Sequence, residues 1–479
     1  MADAMNGPGV EERPLRVLLI AEQANPEWVS VPLEGWSHSR AVAEHRAVEA
    51  HVVTQVRNRE AFERAGLVEG RDFTAIDSEK IAQPLYKAAN ALRGGKGLGW
   101  TTMMAATALS YPYFERVVWR TFGEAIRKGE YDVVHRLTPL SPTVSSSLAG
   151  RCRKAGVPFV LGPLNGGVPW PKEYDHVRRQ EREWLSYVRP LHRLLPGHGS
   201  TFKQATAVIA GSADTFRLMP GSATGKMVYV PENAVDPSRF AGLEAAATGD
   251  AGEPEASRFD APLKVIFVGR LVPYKGPDVL LDAAAPLVRE GLVELTYAGD
   301  GPMMDGLKAT VEREGLGDGV RLLGRVPHDE LANELQRAAV FGFPSIREFG
   351  GAVVLEAMAM GAVPVVVGYG GPAELVTQET GYALPMAGRE ALTAAFRERF
   401  AALAGDPSGL AAMSVAGRRR VATRFTWAAK ARQVVEVYRW VTGRRDDRPD
   451  YGMPLGDADE TTPAEHRAVR QPASAGVSG

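Results

Sequence analysis

Residues 343–356 read FPSIREFGGAVVLE. An apolar run that ends near Ser345 behaves as a strand, Glu348 sits in the loop that follows, and Gly350 and Gly351 open a helix. Glu356 falls near the start of that helix, with seven residues between it and Glu348. A helix N-terminus offers free backbone N–H groups and the positive end of a dipole, which suits an anion. Glycine lets a phosphate approach the backbone closely. One carboxylate can therefore face a sugar while the other accepts hydrogen bonds from ribose hydroxyls. A solvated Glu348 and a capping Glu356 would give the same spacing, so the pair acquires meaning only from its surroundings.

Outward from this block, short continuous apolar runs recur. KVIFVGR (264–270), VELTYAG (293–299), GVRLLGR (319–325) and VPVVVG (363–368) flank it in the second half. LRVLLI (15–20), HVVTQV (51–56), YDVVHRL (131–137), VPFVLG (157–162), AVIAG (207–211) and MVYVP (227–231) occupy the first half. Such runs suit strands buried on both faces of a parallel sheet, and helix-compatible stretches separate them. Alternation of this kind predicts two doubly wound α/β domains. Between them, 241–261 is rich in Ala, Gly, Asp, Glu and Pro and reads as a linker or mobile insertion.

The predicted division is a disordered N-terminus (1–13), a first Rossmann-like domain (14–240), the linker (241–261) and a second domain (262–425). A helix follows at 426–442, with helical spacing in Trp427, Ala431, Val434, Val435 and Tyr438, and then a polar tail (443–479) expected to be disordered.

Bulk properties narrow the function. The 479 residues suit two domains, and 45% apolar with 24% charged residues is an ordinary globular balance. A net charge of -1 supplies no global field for nucleic acid. Cys152 is the only cysteine, so neither an internal disulfide nor a zinc cluster can form, and a reducing, cytoplasmic setting is expected. Residues 1–14 show no apolar signal core, and no run of about 20 apolar residues appears. The segment 181–195, EREWLSYVRPLHRLL, mixes arginine with apolar and aromatic residues. It is read either as packing on its own domain or as a peripheral membrane contact.

In open α/β sheets ligands bind beyond the carboxyl ends of strands. Arg270 ends one apolar run and Lys275 lies in the next loop, so the two could flank a diphosphate. GDGP at 299–302 lacks the dinucleotide spacing, and the Gly-Lys pair at 225–226 lacks the P-loop spacing. Asp457-Ala458-Asp459 is a DxD string in the polar tail, and no metal site and no cofactor are expected.

In order, FVGRLVPYKG, YAGDGP, LLGRVPHDEL, FPSIREFGGAVVLEAMAMGAVPVV and GGPAELV span 267–376, within a match that runs from Lys264 to about Val376. Together they resemble the donor domain of glycosyltransferase family 4, retaining enzymes of the GT-B fold. The resemblance implies a nucleotide-sugar donor, with Arg270 and Lys275 holding its diphosphate. It implies that Glu348 contacts the transferred sugar, Glu356 the ribose and Val326 the base. Donor contacts are also implied from Phe349 and from the backbone of Gly350, Gly351 and Ala352. The helix at 426–442 would cross back onto the first domain.

The first half matches this family less closely. VVHRLTP places His135 at a strand end, where the family often has a histidine facing the donor sugar; Leu137 stands where many members have a second histidine. Gly35 is the only counterpart of a Gly-Gly pair found after the first strand in many members. In GPLNGG (162–167), Asn165 and Gly166 either line the cleft beside the acceptor or make a turn. PENAVD (231–236) resembles an interdomain segment of structural role. The acceptor is left open among a small molecule, a glycan and a lipid-linked group. The alternatives to a transferase are a sugar phosphorylase of the same fold and an inactive nucleotide-sugar-binding scaffold.

Overall fold

A computed structural model describes residues 12–92, 99–180, 197–249 and 256–452. The membrane-contact candidate at 181–195 and the DxD string lie outside the described residues.

Seven strands form the first sheet: β1 (Leu15–Ala21), β2 (Val48–Gln55), β3 (Phe73–Ile76), β4 (Val133–Thr138), β5 (Phe159–Leu164), β6 (Ala207–Ala210) and β7 (Met227–Tyr229). Their order is β3-β2-β1-β4-β5-β6-β7 and all pairings are parallel. The second sheet holds β8 (Leu263–Val268), β9 (Val293–Ala298), β10 (Val320–Leu322), β11 (Val340–Phe343), β12 (Val363–Val367) and β13 (Tyr382–Leu384). Its order is β10-β9-β8-β11-β12-β13, again parallel. β4, β5, β6, β11 and β12 are buried at every residue, which is why their sequences are unbroken rather than alternating. The direction of winding reverses between β1 and β4 and between β8 and β11. A crevice opens at such a reversal, at the carboxyl ends of the strands.

Two chain segments link the domains. Val235 N donates to the Phe425 carbonyl at 2.8 Å, and Trp427 N donates to the Val235 carbonyl at 3.3 Å, so the crossings pair with each other. The helix Trp427–Val441 then buries Ala431, Val434, Val435 and Tyr438 in a core on one face of the first sheet. The Thr426 side chain caps it by accepting from Ala429 N.

Three segments depart from the sequence reading. Within 241–261, Leu243–Thr248 is a helix whose Leu243 and Ala246 join the second core. Arg258 is buried there too and donates to the carbonyls of Leu335, Ala338 and Met360. Composition signalled a linker, but among the described residues 241–249 are held by two apolar anchors and 256–261 by one guanidinium. At the ends, Arg13 pairs with Asp132 at 2.8 Å, and the Tyr451 hydroxyl donates to the Gln433 carbonyl. Residues 12–13 and 443–452 thus make specific contacts with the first domain, although most of them are exposed.

Candidate active site

The residues predicted at the ends of β8 and β11 converge. A tight turn at Pro273–Lys275 follows β8, and Gly276 leaves it with φ 64°. A Cβ at Gly276 would lie 2.9 Å from the Pro344 carbonyl oxygen, so glycine lets the two loops touch. Lys275 Nζ donates to Glu348 Oε2 at 2.8 Å, with Lys275 15% and Glu348 21% exposed. The ammonium also lies 5.2 Å from the Phe343 ring centre. Arg270 and Val326 line one cavity of about 480 Å³ with Gly299, Asp300, Arg325 and Leu331. Arg325 was passed over in the sequence, although it lies within the LLGRVPHDEL block. A larger cavity of about 1340 Å³, bordered by Phe259, Pro407 and Arg420, contains none of the predicted site residues. The smaller one is the better candidate because charged loop residues at strand ends converge on it.

Gly351, with φ 71°, precedes the helix Ala352–Ala359. Phe349, Gly350 and Ala352 are half-buried around it. Gly350 serves a purpose other than the one read from sequence. A Cβ there would meet the Asn233 side-chain nitrogen at 1.6 Å, so its free space is filled by the first domain rather than by a phosphate. Glu356 lies on this helix, and burial pushes its carboxyl above the usual range against the opposing charge of Arg239.

The first-half candidates turn inward. His135 is fully buried in β4. Its Nε2 is 2.6 Å from the Gly162 carbonyl and its Nδ1 2.6 Å from the Tyr438 hydroxyl. A carbonyl only accepts, so Nε2 carries the proton and Nδ1 accepts from Tyr438. Burial pushes the imidazole down to about 3, so it is neutral and has no nitrogen left for a sugar. It pins the crossing helix to the first sheet. Gly35 lies inside the helix Val31–Ala43, and a Cβ there would sit 2.1 Å from the Gln23 carbonyl oxygen. The glycine lets this helix pack closely on the loop after β1. Asn165 Nδ2 donates to Glu232 at 2.7 Å, and Gly166 N donates to Thr215 Oγ1 at 2.8 Å. Both stabilise a turn of their own domain.

Two features were missed in the sequence. Glu374, from GGPAELV, accepts from Ala213 N through both oxygens at 2.9 Å and from the Tyr229 hydroxyl. It thereby joins the second domain to the first, and burial pushes its carboxyl up to about 7. Lys430 is fully buried on the crossing helix with its Nζ lacking a hydrogen-bond partner, and burial lowers it to about 7 near Glu34 and Glu232. Nothing in the amphipathic pattern of that helix distinguishes a buried lysine from an exposed one.

Known proteins place this arrangement. The model of the family described as "Glycosyl transferases group 1" matches residues 253–400. A D-inositol 3-phosphate glycosyltransferase of Kribbella flavida is 34% identical over 348 residues, covering 69% of this chain and 76% of the relative. The chain belongs to glycosyltransferase family 4. Another relative of that name, from Segniliparus rotundus, is 31% identical over 52% of this chain and 55% of its own length. The chain thus spans about half the length of several family 4 relatives it matches. A GDP-mannose-dependent alpha-(1-6)-phosphatidylinositol monomannoside mannosyltransferase of Mycolicibacterium smegmatis is 32% identical over 40% of this chain and 50% of the relative. The crystal structure of Anabaena HepE in complex with UDP overlays with a TM-score of 0.53 at 16% identity, covering 88% of this chain and 99% of that one. At that identity the overlay speaks for the fold alone, which is GT-B. Among the described residues of this family 4 chain, no helix is long and apolar enough to cross a membrane.

Proposed function

We propose that the chain transfers a sugar from a nucleoside-diphosphate donor to a hydroxyl-bearing acceptor, with retention of anomeric configuration and without a metal. The Lys275–Glu348 pair at the junction of β8 and β11, next to the cavity lined by Arg270 and Val326, carries this reading. The cavity takes the base and ribose, with Glu356 as the ribose partner. Arg270, Lys275 and the amides that open the helix at Gly351 face the diphosphate and stabilise its charge as the glycosidic bond breaks. An ammonium has three donors, so Lys275 can keep Glu348 in place while contacting a phosphate oxygen. Glu348 turns its remaining acceptor capacity to the sugar hydroxyls. Attack on the face the diphosphate leaves gives retention.

Two donor bases are suggested by the relatives, since one is named for GDP-mannose and the HepE structure holds UDP. The relatives named for D-inositol 3-phosphate suggest a phosphorylated cyclitol as the first acceptor to try. A melting-temperature screen with UDP-, GDP- and ADP-sugars selects the donor, because a ligand bound only by the folded state raises the melting temperature. Transfer from that donor is then followed by NMR in EDTA, which reports the anomer formed. An inverted product, or activity that returns only with manganese or magnesium, overturns the mechanism. Release of sugar phosphate with inorganic phosphate would assign a phosphorylase instead.

A further inference from the structure

The loop after β5 and the loop after β11 meet across the cleft, and Arg347 is a principal contact. Its guanidinium lies 4.6 Å from the Trp170 ring centre and 5.1 Å from that of Phe349. Its Nε donates to the Val168 carbonyl at 3.2 Å. Arg347 is 7% exposed and Val168 only 1%. Two further bonds join the segment after β5 to the loops after β12 and β13. The Tyr369 hydroxyl donates to the Pro169 carbonyl at 2.9 Å, and the Tyr174 hydroxyl donates to the Ala387 carbonyl at 3.0 Å.

Glu348, the next residue, is held from its own side as well. Its carbonyl accepts from Gly371 N at 3.0 Å. Gly370, at φ 63°, has no room for a side chain. A Cβ there would stand 2.5 Å from the Glu348 carbonyl oxygen and 3.2 Å from the Val168 side chain. The Glu348 carbonyl is therefore held against 370–371 of the second domain, at a point that Val168 of the first also approaches. Arginine suits this task, since its planar cation stacks on rings while its N–H groups hold a fixed direction. Trp170 and Val168 belong to the other domain, so this grip exists only while the domains are together.

We propose that Trp170, acting through Arg347, is a positioning residue that sets Glu348 against the donor sugar on domain closure. The inference rests on the transferase reading above. A donor held by the second domain alone would then be turned over slowly, which protects it from water in an open cleft.

The test uses the full chain, the donor sugar selected by melting temperature and the matching diphosphate, UDP, GDP or ADP. Trp170→Ala is expected to lower turnover at saturating donor about ten- to a hundredfold, the scale of an ångström-sized misplacement. Affinity for the free diphosphate should change less than about twofold against that scale. Trp170→Phe, which keeps a ring beneath the guanidinium, should recover most of the turnover. In a Glu348→Gln background, Trp170→Ala should cost little more, because both changes act on one group. Should Trp170→Ala fold poorly, Arg347→Lys keeps the charge, loses the planar stack and reports in its place. Wild-type turnover in Trp170→Ala or Arg347→Lys, full additivity of Trp170→Ala with Glu348→Gln, or a parallel loss of diphosphate affinity overturns the inference. A wild-type chain that binds none of UDP, GDP and ADP overturns the transferase reading, and this inference with it.

Discussion

The two domains share a winding pattern but use their strand ends differently. In the second, the loops after β8 and β11 carry Arg270, Lys275 and Glu348 to one place, and each keeps part of its side chain open to solvent. In the first, His135 and Gly35 are consumed by packing, one between β4 and the crossing helix, the other against the Gln23 carbonyl. A polar residue in a loop beyond a strand can stay open to a ligand or, like Asn165 and Arg347, be enclosed by other loops. A polar residue inside a strand or helix must first satisfy its neighbours. Open surface left on the side chain, rather than residue type, separates the candidate site from the scaffold: Arg270, Lys275 and Glu348 keep some, His135 and Arg347 hardly any.

Activity and stability measurements can break this contrast. The largest effect should come from the second domain. Lys275→Ala or Glu348→Gln is expected to slow transfer about ten- to more than a hundredfold, as losing a charge-assisted hydrogen bond of roughly 1.5–3 kcal/mol requires. Unfolding should be nearly unchanged, because both side chains face the cleft. A destabilised but fully active variant would reverse the assignment.

His135→Ala should do the opposite. It strands the Tyr438 hydroxyl and the Gly162 carbonyl, at about 1–3 kcal/mol for each buried group left unpaired. Urea titration should show that loss, while turnover per folded molecule stays near wild type. A fall in turnover without a fall in stability would return His135 to the active site.

Gly35→Ala forces a methyl against the Gln23 carbonyl and should cost about 1–3 kcal/mol by overpacking. Donor affinity should not move. Selective loss of donor affinity in a stable protein would mean that Gly35 does border the ligand.

The smallest effect concerns pH. Burial lowers Lys430 to about 7 amid Glu34, Glu232, Arg420 and His38, whereas an unfolded lysine titrates near 10.5. Between those values the unfolded chain holds a proton that the folded chain lacks, so this group destabilises the fold as pH falls from about 10 to about 7. The penalty is complete below that range. Lys430→Met should therefore raise the melting temperature relative to wild type at pH 6–7, by less near pH 9, and not at all above the unfolded value. A gain that is constant with pH would mean that Lys430 enters the fold charged.

The strands, the reversal of winding and the loops that carry Arg270, Lys275 and Glu348 were legible because their signals are local. An unbroken apolar run reports burial on both faces, and a glycine turn after it reports a strand end. Lys275 and Glu348 are 73 residues apart, yet both were recognisable because each follows its own strand into a loop at the same edge of one sheet. What only the tertiary structure decided involves partners drawn from separate elements. Asn233 fills the space beside Gly350, Tyr438 occupies a nitrogen of His135 from 303 residues away, and Trp170 stacks on Arg347 across the cleft. No local pattern encodes such pairs. Each depends on how two separately folded surfaces meet, so the residue type alone cannot show whether a side chain faces a ligand or another part of the protein.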